Sequence, residues 1–247
     1  MNVNTGDTVD NLVAANIEVA KVLSRHGIDF CSEGGKTLKE ACTEAGVSLK
    51  KLVRELKESS QKRALGELNA SELKIDELTR YIEKYHHHYT IENITFIKAS
   101  LHRLVRLYGE QYPELVEIKD TFEDLTGPLM VHMQHEEFIV FPYIRELAKK
   151  GKRVTSSMYR SANSPISGML TDHDKGQAYL RKLDELTHHY AAPETDSNAF
   201  KVTYAAMREL EKDLHAHILL ENEVLFPKAL AMEIRVSHLT YPTLPVE

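Results

Sequence analysis

The chain has 247 residues, of which 42% are hydrophobic and 28% charged, a composition typical of a folded globular protein and not of a disordered one. Its 31 basic and 37 acidic side chains give a net charge of −6, which does not favour a nucleic-acid partner. No apolar run approaches the roughly 18–20 residues of a membrane-spanning helix, and we expect no signal peptide. The two cysteines exclude a disulfide framework and are expected as reduced thiols, whereas the positions of the 13 histidines need an explanation.

Residues 1–62 have the pattern of a small helical domain. Thr8 can cap a first helix, and Gly27 can end it. Thr37 with Glu40 three residues later is a capping box for a second helix. A third amphipathic helix follows before the sequence becomes polar, which predicts a linker to the rest of the chain.

Four longer segments with helical periodicity follow the linker. They span roughly 73–109, 114–149, 164–190 and 196–231. In the second, Gly127-Pro128 predicts a kink or a break. Short connections between long amphipathic helices favour an up-down-up-down bundle, so the predicted fold class is all-α. The expected domain limits are 1–62, 72–234 and, for an extended tail, 235–247.

A motif of the form H-x3-E-x4-F-P occurs twice. His132 and Glu136 belong to the first copy, and His217 and Glu221 belong to the second, 85 residues later. Residues four apart share a helix face, so each histidine and its glutamate can reach the same point in the bundle interior. Together with matched histidines upstream, this is an internal repeat of a helix pair.

A histidine precedes each copy of the motif at a similar distance. His86 lies 46 residues before the first copy and His173 lies 44 before the second. His86 shares a face with apolar residues, so it is expected to point inward, whereas His87 shares a face with charged residues and is expected in solvent. His88 is the main alternative to His86. Glu137 is expected to point away from its neighbour's site.

Four imidazoles and two carboxylates around one cavity predict a dinuclear metal site. Each carboxylate can bridge two ions, and the mixed nitrogen and oxygen donors suit iron or manganese, since zinc sites more often close at four ligands. The remaining positions leave room for an oxo or hydroxo bridge and a small ligand. The predicted ligands are His86, His132, Glu136, His173, His217 and Glu221.

These residues resemble the hemerythrin-like family, whose His/Glu di-iron site lies within four helices. The stretch from Ile28 through Cys31 to Gly34-Gly35 resembles the small domain that precedes such bundles in the repair-of-iron-centres family. The resemblance implies a stress-induced cytoplasmic protein that repairs iron–sulfur clusters damaged by nitric oxide or peroxide. It implies iron as cofactor, damaged iron–sulfur proteins as clients, and nitric oxide or oxygen as small ligands; whether the protein is a homodimer stays open.

The cysteines depart from the family pattern of two adjacent thiols. Cys31 is followed here by Ser32, so Cys31 is a candidate redox or channel thiol or else a packed turn residue. Cys42 is expected in the core. No side chain is an obvious nucleophile, so enzymatic activity stays open. Two other functions remain: a hemerythrin-type carrier or sensor of oxygen or nitric oxide, and a helical adaptor without metal.

Overall fold

A computed structural model describes residues 6–15, 17–30, 33–62, 73–150, 163–194 and 197–240. Over these ranges the chain is all-α, as predicted, with one isolated β-bridge between Thr8 and Thr37. The N-terminal helices are α1 (Val9–Ala15), α2 (Ile17–Arg25), α3 (Leu38–Glu44) and α4 (Leu49–Lys62).

The caps predicted for the N-terminal helices are confirmed. Gly27, the predicted end of a helix, has a φ of 76°, the left-handed conformation with which helices commonly end, and Gly46 after α3 has the same conformation with a φ of 66°. Thr37 and Glu40 form the capping box of α3, with each side chain accepting a hydrogen bond from the other residue's backbone N–H. These local signals are strong because they satisfy backbone groups that the helix itself leaves unpaired.

The rest of the described chain forms four helical stretches, three of which contain a π-helical turn. In order, they are α5 (Ile75–Tyr81), π1 (Ile82–His87) and α6 (His88–Tyr108); α7 (Glu114–His135), π2 (Glu136–Val140) and α8 (Phe141–Lys150); α9 (Asn163–Leu186); and α10 (Asn198–Leu220), π3 (Glu221–Leu225) and α11 (Phe226–Thr240). They correspond to the four long helical segments that the sequence predicts. None of the helices in the described ranges is long and apolar enough to cross a bilayer.

Two local features differ from the expectation. Helix α7 continues through Gly127-Pro128 without a break, whereas a kink at this position stays a prediction. Both residues are exposed, as is Asp124, so water can hydrate the carbonyl that Pro128 leaves without a donor. The tail expected to be extended from 235 is helical up to Thr240, because the next proline is Pro242 and nothing before it interrupts the helix.

The spatial contacts between residues divide the chain into two compact units. The first draws on Met1–Gly66, Asn93–Glu123 and Lys182–Leu210, and the second on Glu67–Glu92, Asp124–Arg181 and Glu211–Glu247. Within the first unit, Phe30 stacks on Phe96 with ring centroids 5.7 Å apart, and Asp29 pairs with Arg103. The limits predicted for separate domains stay predictions, since contacts do not show which piece folds alone.

The second unit has an apolar core to which all four helical stretches contribute. Its members are Ile75, Leu78, Ile82, Val140, Phe141, Tyr143, Ile144, Leu147, Ile166, Met169, Leu225, Phe226 and Ala229. Burying a large apolar side chain contributes about 1.5–3 kcal/mol. The core includes Val140 of π2 and Leu225 of π3, so it anchors the turns that begin at the two predicted glutamates.

Candidate metal centre

Each of π2 and π3 begins at one of the two predicted glutamates. The backbone N–H of Phe141 donates to the carbonyl of Glu136, and that of Phe226 donates to the carbonyl of Glu221, five residues back in both cases. The proline after each phenylalanine cannot donate to the carbonyl four residues back, and its ring would clash with that carbonyl in a regular α-helix. A wider turn avoids the clash, and such turns are frequent at functional sites.

Six buried side chains bring their donor atoms together in two groups. Within each group all donor atoms lie within 4.8 Å of one another. The groups are His87, Glu136, His217 and Glu221, and His132, Glu136, His173 and Glu221. The two glutamates belong to both groups. We call His87 and His217 the inner pair. We call His132 and His173 the cavity pair, because both of them line a cavity next to the site.

Each glutamate directs one oxygen to each pair. Glu136 Oε1 lies 3.3 Å from Nε2 of His132, and its Oε2 lies 3.3 Å from Nε2 of His87. Glu221 is arranged in the same way, with Oε1 3.0 Å from the inner pair and Oε2 3.2 Å from the cavity pair. Two carboxylates in this position can each bridge two cations.

Most of the donor atoms have no hydrogen-bond partner among the residues that the structure describes; the exceptions are Nε2 of His132 and Nε2 of His173, which lie 3.1 Å from each other. Both carboxylate oxygens of Glu136 and of Glu221 are buried without one, and so are the Nε2 atoms of His87 and His217. A buried carboxylate without a partner costs several kcal/mol. Two divalent cations would satisfy all of these atoms, so the residues fit a dinuclear metal site.

His87, and not His86, lies in this site. The side chain of His87 is 1% exposed, so the expectation that it lies in solvent is wrong. His86 instead has its Nδ1 3.1 Å from Asp213 Oδ1, and its ring stacks on His217 at 5.4 Å. The reason is π1, whose wider turn brings the residue five after Ile82 to the inner face, where a regular α-helix would bring the residue four after it.

The internal repeat leads to the same assignment. His87 stacks on Phe141 with centroids 5.7 Å apart, and His173 stacks on Phe226 at 6.2 Å. His86, His87 and His88 lie 46, 45 and 44 residues before His132, and the interval in the second half is 44, so the intervals alone would have selected His88. The ring contacts, and not the intervals, identify His87 as the counterpart of His173.

The residue after each glutamate holds one histidine in place. Glu137 Oε1 lies 2.7 Å from Nδ1 of His87, and Asn222 Oδ1 lies 2.9 Å from Nδ1 of His173. When Nδ1–H donates to these oxygens, the lone pair of Nε2 faces the site. The expectation that Glu137 points elsewhere is therefore wrong, because π2 keeps it on the side that faces the first helical stretch.

The two cysteines differ in what is known of them. Cys31 lies outside the described residues, so its role stays a prediction. Cys42 is buried in α3, and burial raises the pKa of its thiol, which favours the unreactive protonated form. Its placement agrees with the core position expected for it.

Both parts of the chain match known families. Residues 94–229 match the hemerythrin HHE cation-binding domain, and residues 5–60 match ScdA_N, a domain of unknown function (DUF542). The chain belongs to the repair-of-iron-centres family.

Several bacterial members of this family align with most of the chain. The iron–sulfur cluster repair protein ScdA of Staphylococcus haemolyticus is 26% identical over 85% of this chain and 91% of its own length. The iron–sulfur cluster repair protein YtfE of Yersinia pseudotuberculosis is 27% identical over 90% and 96%. The iron–sulfur cluster repair protein DnrN of Neisseria gonorrhoeae is 28% identical over 60% and 87%.

Without cations, the pKa values of the two shared glutamates of this family member are shifted in opposite directions. Burial, together with the nearby charge of Glu221, raises the pKa of Glu136 to about 8. Burial acts on Glu221 as well, but the facing His217 and His173 hold its pKa well below the usual range. One proton therefore stays on Glu136 at neutral pH, and cations would replace it.

The metal-free protein should lose stability between pH 6.5 and pH 8 because of Glu136. A carboxyl whose pKa rises from 4.5 to about 8 on folding contributes stability at low pH that is lost as pH rises to 8. Burial lowers the pKa of His132 from 6.5, and the pKa of Glu221 is also lowered, so their stabilising contributions are complete above pH 6.5. We expect a loss of up to about 1.4 kcal/mol per pH unit in chemical denaturation.

Glu136→Gln is the matched variant for this measurement, since an amide of the same shape does not titrate. Its metal-free form should show no such loss between the two pH values. An equal loss in wild type and variant would assign the pH dependence to another group.

Proposed function

We propose that this protein holds a pair of iron ions between its four buried histidines and two bridging glutamates and gives iron to iron–sulfur proteins damaged by nitrosative or oxidative stress. The proposed ligands are His87, His132, Glu136, His173, His217 and Glu221. Damaged iron–sulfur proteins are the proposed clients. A cytoplasmic location stays a prediction.

The observation that carries the proposal is the sharing of both glutamates by both histidine pairs. Glu136 and Glu221 each point one oxygen to the inner pair and one to the cavity pair. A mononuclear site would leave half of these oxygens without a cation. Two imidazoles and two carboxylate oxygens per ion suit iron or manganese better than softer metals, and the names of the repair-protein relatives favour iron.

The proposed ligands bind the two iron ions but leave part of each ion's coordination sphere free, so that the iron can exchange. Each ion would receive four protein donors, which leaves positions free for a client's donor atom or a small molecule. When bound, iron supplies Lewis acidity and one-electron redox chemistry. The imidazoles keep their orientation through Nδ1, since Glu137 and Asn222 accept from His87 and His173.

Iron transfer to an acceptor tests the function. The protein is loaded with Fe²⁺ without oxygen and mixed with an apo iron–sulfur protein and sulfide, and the absorbance and activity of the acceptor are followed. We expect the acceptor to regain its cluster with iron from the loaded protein, and the variant Glu221→Gln to deliver none. Iron that stays on the protein while the acceptor remains apo would contradict the proposal.

A cavity next to the site supports a second function. It has a volume of about 250 Å³ and is lined by His132, His173 and His217 together with apolar side chains that include Leu125 and Leu180. A small apolar gas could reach the free metal positions through it, as expected for a carrier or sensor of oxygen or nitric oxide. Tight iron retention with reversible gas binding, read from the absorption spectrum, would favour this function over iron donation.

A further inference from the structure

The two histidine pairs differ in the groups that hold them. In the inner pair, Nδ1 of His87 lies 2.7 Å from a carboxylate oxygen of Glu137. In the cavity pair, Nδ1 of His173 lies 2.9 Å from the neutral amide oxygen of Asn222. A carboxylate that accepts from an imidazole makes its other nitrogen more basic and strengthens a metal bond there, and a neutral amide does this much less.

The partner histidines extend the difference. His132 of the cavity pair has its Nδ1 3.7 Å from Asp172, which is beyond hydrogen-bond distance, and that carboxylate also lies 3.6 Å from the Lys175 ammonium. His217 of the inner pair is covered by the ring of His86, which is held in turn by Asp213. The inner pair is thus supported by charged and stacked neighbours on both sides.

Burial follows the same order. The inner-pair side chains are 1% and 2% exposed, whereas those of the cavity pair are 4% and 5% exposed. Both histidines of the cavity pair line the cavity of about 250 Å³, but His217 is the only inner-pair histidine among its lining residues and His87 is not one of them. The cavity pair therefore presents both of its histidines to an incoming ligand, whereas the inner pair presents one.

We propose that the two cation positions are unequal, and that the ion held by the cavity pair is the one that exchanges while the ion held by the inner pair is retained. The proposal rests on the proposed pair of iron ions and assigns the donated iron to one of them. Fe²⁺ leaves as Fe²⁺ to a ligand that enters through the cavity, so no electron is transferred. Glu137 and Asn222 are the positioning residues that set the difference.

Release of iron to a chelator tests the proposal. The protein loaded with Fe²⁺ is mixed without oxygen with an excess of a ferrous chelator, and the absorbance of the chelate is followed over time. We expect two phases of equal amplitude. Asn222→Asp should slow the fast phase about 10–100-fold, and Glu137→Gln should accelerate the slow phase by a similar factor. Glu223→Gln, an exposed residue of the same turn as Asn222, is the control and should change neither phase.

The outcomes separate this inference from the function on which it rests. Loading with less than one ion per histidine pair, measured before the chelator is added, would contradict the proposed pair itself. Release of two ions in one phase, or slowing of the slow phase by Asn222→Asp, would overturn the inference and leave the dinuclear site in place. If Asn222→Asp does not fold, acceleration of only the slow phase by Glu137→Gln decides the matter.

Discussion

Glu136→Ala and Glu221→Ala should each abolish binding of both metal ions. Each carboxylate directs one oxygen to each histidine pair, so removing either of them takes a donor from both positions at once. We expect the metal content of protein purified without chelator, and the near-ultraviolet charge-transfer band, to fall to background.

Glu223→Ala is the control for this pair of variants, since Glu223 lies in the same π turn as Glu221 but is exposed. It should retain both ions. Helical content by circular dichroism shows whether a variant has lost metal or has lost its fold. Equal metal content in all three variants would disprove the bridging assignment.

His87→Ala should weaken metal binding by more than about 100-fold, while His86→Ala should keep it within about tenfold of wild type. His87 is a proposed ligand, and loss of a ligand costs more than the 10–100-fold that loss of a ligand's partner costs. His86 only stacks on His217, and such a ring contact contributes about 0.5–1.5 kcal/mol. Titration of the metal-free proteins with Fe²⁺ against a competing chelator measures both affinities.

The comparison of these two variants shows whether the helix presents His86 or His87 to the metal site. Metal loss in His86→Ala with retention in His87→Ala would restore the assignment that regular α-helical periodicity predicts. Loss in both variants with intact helical content would mean that the stacked His86 contributes more than a ring contact.

The sequence predicted correctly those ligands that are preceded by regular α-helical turns. His132 and His217 precede their glutamates by four residues, and the α-helical turns of α7 and α10 keep each pair on one face. The repeat then identified the halves as equivalent. The fold class followed from the same periodicity, because long amphipathic segments with short connections leave few other arrangements.

The parts that the sequence did not predict lie at the π turns. A period of 3.6 residues directs His86 inward, but π1 adds a residue to the turn and brings in His87. No proline follows π1, so nothing local indicates it. Glu137 was assigned to the wrong side for a related reason, since its position depends on π2 and on His87. Cys31 lies outside the described residues, so its role stays a prediction.

The crossed arrangement of the two carboxylates has a consequence for how the protein assembles. His87 and Glu136 come from the first half of the repeat, and His173 and Glu221 come from the second. Each cation position thus takes one imidazole and one carboxylate from each half, and neither half could cage an ion alone. A cation bound at either position would join the two halves, so we expect the metal-free protein to hold these helices less firmly when it has to bind metal again.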